Sequence, residues 1–257
     1  MPDYTIPNLK NACRVLKFLA STDQAKTIAE IADALALPRS TALRILFTLS
    51  SENLVTKVDR SYGLGSSLIF LGQRATRSNS TLDLAKPVLQ RLTEDTGETS
   101  QLATLSGNKS LIMLVQDSPH PLAAHSRPGT QADLHCSASG KALLAFSEAS
   151  KRDLALQEIS FDCRTTRTIH SHQGFLKELQ LVRQNGYASD EQEYHEGIRC
   201  LAAPVFDSSG YASYAIGITA AISRFTDEKK SSYVEYVKNA AATLSDACGA
   251  SRSTAGP

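Results

Sequence analysis

No stretch of the 257 residues approaches the roughly 20 consecutive apolar residues that a membrane span needs. The opening MPDYTIPNLKNACRVLKFLA also lacks the charged start, long apolar centre and small-residue cleavage site of a secretory signal, so a cytoplasmic protein with no membrane partner is expected. Glycine and proline are scarce, at 14 and 9 residues, which excludes fibrous and low-complexity chains; with 42% hydrophobic and 21% charged residues the composition is globular. Cysteine is equally thin. Cys13, Cys136, Cys163, Cys200 and Cys248 are odd in number, widely spread and never in a CxxC spacing. That argues against a disulfide framework or a thiolate zinc site, so reduced thiols and no metal or cofactor are expected.

What is present is unevenly distributed. Net charge is +1, yet residues 1–74 hold nine Lys and Arg against six Asp and Glu, whereas residues 75–257 hold 18 against 20. A local positive surplus suits binding to phosphates, although one this small also fits an ordinary solvated surface. The length suits two domains.

Residues 8–20 place Leu9, Ala12, Cys13, Leu16 and Leu19 at helical spacing, with Asn8 as the expected N-cap. A second, short helix starts at Thr27, which with Glu30 three residues on forms a capping box; Ile28, Ile31, Ala32 and Leu35 are its apolar stripe. Ala36-Leu37-Pro38 is a tight connection, and a third helix is expected from Pro38 to Glu52. Leu43, Leu46, Phe47 and Leu49 are expected to bury that helix, leaving Arg39, Ser40, Thr41, Arg44 and Thr48 outside. Helix, tight turn, helix is the spacing of a helix-turn-helix, and short hydroxyls with arginine at a helix start can reach base edges and phosphates. Taken alone, the same residues would suit a merely solvated face. The next segment favours DNA: Leu54 to Val58 alternates like a strand, Asp59-Arg60-Ser61 is a turn, and Tyr62 to Gly65 returns, which makes a wing carrying Lys57 and Arg60. DNA contacts are therefore expected from Thr27, Arg39, Ser40, Thr41, Arg44, Thr48, Lys57 and Arg60 on a double-stranded operator.

The expected organisation is a winged helix-turn-helix over 1–65, a linker helix over 66–79 that could pair with its copy, a second domain over 80–250 and a flexible tail over 251–257. In the second domain, an amphipathic segment ends at Gly97; strands are expected at 100–105, 110–116, 202–206 and 213–219, and helices at 140–146, 173–185 and 227–246. The fold class is α+β with an antiparallel sheet.

Two segments could carry chemistry. His135-Cys136-Ser137-Ala138-Ser139-Gly140-Lys141-Ala142 opens an apolar helix whose first N–H groups would suit an anion, but it misses the P-loop, Ser-x-x-Lys and Gly-x-Ser-x-Gly spacings. Residues 186–200 gather carboxylates around His195, which reads either as metal or acid-base chemistry or as a charged loop before a strand. A hydrolase using Cys136 or Ser139 with His135 or His195 is a rival reading. It is weakened because adjacent residues such as His135 and Cys136 point apart on a strand.

On these residues the chain resembles the IclR family of bacterial transcriptional regulators. The resemblance is carried by TIAEIADALALPRSTALRILFTLSSENLV with the following YGLG, by LHCSASGKALLA (134–145) and by NGYASDEQEYHEGIRCLAAPVFDSSG (185–210). It implies a GAF-like second domain, an antiparallel sheet flanked by helices, with an effector pocket drawing on Ala138, Ser139, Asp190, Ile198, Cys200, Gly217 and Thr219. Some relatives have serine at the last two positions, so one hydroxyl is missing at Gly217. Arg127, Arg199 and the amides near Ser139 could balance an anion. The resemblance further implies a small organic or aromatic acid as effector, and a homodimer or dimer of dimers; a DNA-binding protein with a vestigial pocket is the third reading.

Overall fold

The computed structural model describes residues 4–22, 24–77 and 80–250, and divides into two compact units, Met1–Asn79 and Ser80–Pro257. The tail expected over 251–257 and the last two residues of the linker helix lie outside the described residues.

In the first unit α1 spans Pro7–Ala20. Its cap differs from expectation: Asn8 is inside the helix and Pro7 opens it, because the fixed φ of proline suits a first helical position and needs no side-chain acceptor. Strand β1 (Lys26–Thr27) leads into α2 (Ile28–Ala34), where the capping box forms: Thr27 Oγ1 accepts from Glu30 N and the Glu30 carboxylate accepts from Thr27 N at 2.8 Å. The connection closes with Ala36 at φ 52° and Leu37 N–H donating to Ala32 O at 2.8 Å. Then comes α3 (Arg39–Ser51), capped by Pro38. β2 (Val55–Val58) and β3 (Ser61–Leu64) form the hairpin, and β1 pairs with β3 to give the sheet order β1-β3-β2. α4 (Ser67–Arg77) follows, with Ser67 N and Oγ both donating to the Glu52-Asn53 backbone.

The core of this unit is Val15, Leu19, Ile31, Ile45, Leu46, Leu49, Val55 and Tyr62. One expectation fails here. Leu43 and Phe47 do not bury α3; they are 49% and 75% exposed. The buried stripe is Ala42, Ile45, Leu46 and Leu49, a complete i, i+3, i+4, i+7 set, and at 100° per residue Phe47 falls on the opposite side and Leu43 on the flank.

The second unit begins with α5 (Ser80–Thr96), then β4 (Thr99–Ser106), β5 (Lys109–Gln116) and β6 (Gln131–Asp133). Next are α6 (Ala138–Ala145), α7 (Ala149–Glu158), α8 (His172–Asn185) and β7 (Ala188–Glu191). It ends with β8 (Ile198–Phe206), β9 (Ala212–Ala221) and α9 (Asp227–Ala247). The sheet is antiparallel throughout, in the order β6-β5-β4-β9-β8-β7. One face packs Leu102, Leu201, Ile216 and Ile218 against α5 and α9; the other packs Ala103, Ala202 and Ala215 against α6 and α8. This alternation along β8 and β9 is what a sheet covered on both faces requires.

β6, α7 and β7 have no counterpart in the sequence expectations. β7 reads Ala-Ser-Asp-Glu and buries Ala188 and Asp190, so a charged residue occupies an inward position and hides the pattern. α7 buries only Ala155 and therefore has no apolar stripe. In the middle of the sheet, a Cβ on Gly217 would lie 2.0 Å from the Leu201 carbonyl oxygen and 2.9 Å from Ala202 Cα. Gly217→Ala is expected to destabilise this unit by about 1–3 kcal/mol, read as a lowered urea midpoint; an unchanged midpoint would contradict this packing.

Candidate functional site

Each unit presents one surface suited to recognition. On the first, Ser40, Arg44 and Thr48 are exposed along α3, with Arg39 at its start and Thr41 half-buried at its edge. No side chain caps the α3 N-terminus and no acidic residue occupies its first turn, so its positive end is not neutralised locally. Thr48 Oγ1 donates to the Arg44 carbonyl at 3.0 Å. Lys57 and Arg60 are exposed on the hairpin, Lys57 Nζ lying 5.9 Å from the centroid of the Tyr62 ring. Among the described residues Arg39, Arg44, Lys57 and Arg60 have no carboxylate partner. Thr27 differs from the other expected contacts. Its hydroxyl accepts from Glu30 N and donates to Glu30 Oε2, so Thr27 is occupied as a helix start; the Thr27 backbone N–H and then its hydroxyl, both donating to the carboxylate, hold Glu30 below its usual range.

The second unit holds a cavity of about 280 Å³ on the α6 side of the sheet, near the small end of ligand sites. Its floor is Gln101 of β4, Ile198 and Cys200 of β8 and Thr219 of β9; the α6 start supplies Ser137, Ala138 and Ser139. His125, Ser126 and Arg127 close one side, and Asp190, Tyr194 and His195 the other. Ser137 Oγ caps α6 by accepting from Gly140 N at 3.2 Å, and Ser139 Oγ lies 2.8 Å from Ser110 Oγ. Gln101 Oε1 is buried without a hydrogen-bond partner among the described residues. The Arg127 guanidinium has no ion-pair partner among them either.

Asp190 is 2% exposed, and burial pushes its carboxyl up to about 7, although Glu193 N (2.6 Å) and Tyr194 N (3.3 Å) both donate to Oδ1. Near neutrality this wall is therefore poised between neutral and anionic. Another cavity, of about 250 Å³ and bounded by Thr81, Phe206 and Tyr214, offers less: its Asp207 carboxylate already accepts from the Ser209 and Ser213 hydroxyls.

Family models match along nearly the whole chain. The model described as IclR helix-turn-helix domain covers residues 9–59, and the one described as bacterial transcriptional regulator IclR C-terminal covers residues 73–246. The chain belongs to the IclR family of bacterial transcriptional regulators. It is 32% identical over 239 residues to the HTH-type transcriptional regulator BhcR of Paracoccus denitrificans, spanning 92% of this chain and 85% of that protein. To the HTH-type transcriptional regulator KdgR of Dickeya chrysanthemi it is 33% identical over 224 residues, spanning 86% and 73%. It also shares the fold of an IclR homologue from Microbacterium hydrocarbonoxydans solved in complex with 4-hydroxybenzoate, with a TM-score of 0.73 and 23% identity over 95% of this chain and 100% of that one. The function class follows: this IclR-family chain is a helix-turn-helix transcriptional regulator, with a DNA-binding part first and an effector-binding part second.

Within that IclR frame, Arg127, Ala138, Ser139, Asp190, Ile198, Cys200 and Thr219 all stand in the cavity wall. Gly217 does not. The space a side chain would need is filled by the β8 backbone, so no hydroxyl has been lost from the cavity at that position. Arg199 is also elsewhere: its Nη1 donates to Phe225 O at 2.9 Å and to Asp227 at 2.7 Å, tying β8 to the start of α9. Sequence reasoning missed Gln101, Ile112, Ser126 and Tyr194. Gln101 was detectable as a lone amide in an otherwise apolar or hydroxylated strand, whereas the irregular segment around Ser126 offers no pattern.

The residues 186–200 form β7, a turn and the start of β8, and two of their four carboxylates are ion-paired: Glu191 takes Lys230 and Glu193 takes Lys141. Cys136 is fully buried, and that burial pushes its thiol up to about 12, leaving negligible thiolate at neutral pH. Because the folded Asp190 carboxyl binds its proton more tightly than the unfolded one, its stabilising contribution is complete below about pH 4 and is lost as pH rises through about 7. Asp190→Asn is therefore expected to gain on the natural chain in urea midpoint between pH 5 and pH 8. A difference constant across that range would contradict the raised carboxyl.

Proposed function

We propose that this chain is a cytoplasmic, effector-controlled regulator of a catabolic operon, reading double-stranded operator DNA with Arg39, Ser40, Thr41, Arg44 and Thr48 of α3 and with Lys57 and Arg60 of the wing. The observation that carries the DNA reading is the exposed face of α3 within a winged helix-turn-helix, where Arg39 and Arg44 have no carboxylate partner among the described residues and stand beside short hydroxyls. Such a helix enters the major groove, where arginine pairs with guanine and the wing cations meet the backbone. Residues 1–65 serve this reading, 66–79 link, and 80–250 receive the effector.

The effector is a small organic or aromatic acid. Arg127 offers a free guanidinium, the α6 N-terminus offers amide dipoles, and the Gln101 amide can meet a ligand hydroxyl. Ile112, Ile198 and Ala132 supply apolar contact for a ring or short chain. An aromatic acid held by a protein of the same fold, 4-hydroxybenzoate, has this combination of carboxylate, ring and hydroxyl. Exposed Ile69, Phe70 and Leu71 on α4 support a homodimer or dimer of dimers. An effector that favours one arrangement of the paired chains would then change the spacing of two reading helices, whose half-sites lie about one helical turn or a multiple apart.

A hydrolase reading is disfavoured by the buried Cys136 thiol and by His135, whose Nε2 lies 3.1 Å from the Asp162 carbonyl. Binding to the duplex upstream of the chain's own gene should weaken steeply with salt; no salt-dependent binding would refute the reading. With Arg39 and Arg44 both replaced by alanine, specific affinity is expected to fall at least about thirtyfold, with thermal stabilisation by the acid unchanged. Equal loss of both properties would point to misfolding.

A further inference from the structure

The exposed face of α3 is not uniformly polar. Leu43 and Phe47, one turn apart, are 49% and 75% exposed; at 100° per residue they lie side by side between Arg39 and Ser40 on the face turned away from the buried stripe, Phe47 nearer its centre and Leu43 on its flank. Neither belongs to the apolar core of the first unit among the described residues. Phe47 adds little to the burial of the fold, and Leu43 only about half of its side chain. Thr48 extends the apolar character, because its hydroxyl proton is directed to the Arg44 carbonyl, and its methyl group remains available to a partner.

The surroundings select the occupant. Arg39 and Arg44 on α3, and Lys57 and Arg60 on the wing, are exposed cations without carboxylate partners among the described residues. A polyanion that also presents small apolar groups at a helix-wide groove matches this distribution. Major-groove DNA does so at one place on a base edge, the 5-methyl group of thymine.

Resting on the DNA reading above, we infer that Leu43 and Phe47 are specificity-determining residues that contact thymine methyl groups in each half-site. Arg39 and Arg44 then supply guanine and phosphate contacts on either side of them, and the operator half-site combines thymine with neighbouring guanine.

The test uses the full chain and a duplex recovered by selection from a random pool. Replacing half-site thymines by deoxyuridine removes only the methyl groups and requires no protein variant. Affinity is expected to fall about fourfold per contacted thymine, the equivalent of about 0.8 kcal/mol for one buried methyl. Phe47→Ala should keep the natural melting temperature, and both it and Leu43→Ala should bind the thymine duplex more weakly and discriminate less between the two duplexes. Equal affinity of the natural chain for both duplexes overturns the inference while leaving the DNA reading intact, as does undiminished discrimination by both variants. If Phe47→Ala changes sedimentation but not thymine discrimination, the pair is an interface between copies of this chain and the inference falls. Absence of any salt-dependent DNA binding removes the reading on which it rests.

Discussion

Lys141 is fully buried, and the effector-binding unit is organised around what neutralises it. Its ammonium lies 2.7 Å from Glu193 and 3.1 Å from Glu178, so a single charge joins α6, α8 and the turn after β7. Burial alone would lower the lysine, but two carboxylates on one ammonium outweigh it and keep Lys141 charged. Removing one member of such a group leaves a buried charge uncompensated, at a cost of about 3–5 kcal/mol, so the three elements are held in register. The same turn is pinned from a second side: the Thr165 and Thr168 hydroxyls donate to the Gln192 and Glu193 carbonyls at 2.7 Å. Asp133 joins Lys109 to Arg164, and Arg164 stacks on Tyr194 at 4.5 Å. The cavity wall formed by Asp190, Tyr194 and His195 is thus fixed by charged groups that do not themselves line the cavity.

On the proposed function, this arrangement suits a cavity that binds a small acid. Its one buried carboxyl outside the ion-pair network, Asp190, is half-neutral near pH 7, and Arg127 lines the same cavity. Regulation needs no chemistry. It requires only that the acid bind two states of the protein unequally, and the linkage then runs equally in both directions between effector and operator.

Much of this was legible in the sequence, for identifiable reasons. The capping box at Thr27, the entry into α3 at Pro38 and the wing turn at Asp59 are local features, set by residues within a few positions of one another, and the sequence shows them directly. Strands β4, β5, β8 and β9 were visible because their apolar content is high. The failures share a different cause. Leu43 and Phe47 were assigned to the core because α3 is apolar on both sides, and only packing against α1 and α2 decides which stripe is buried. β7 was hidden because its inward Asp190 serves the cavity. Gly217 looked like a lost hydroxyl, yet its role is set by the neighbouring strand, at contacts no local pattern encodes.

The central claim is that one chain couples a metabolite cavity to a DNA-reading helix. It is tested most directly by measuring the dissociation constant of the selected operator duplex without and with a saturating concentration of the carboxylic acid that most raises the melting temperature. A shift of at least about fivefold is expected, with the operator shifting the affinity for the acid by the same factor. An operator affinity unchanged by saturating acid would contradict the account.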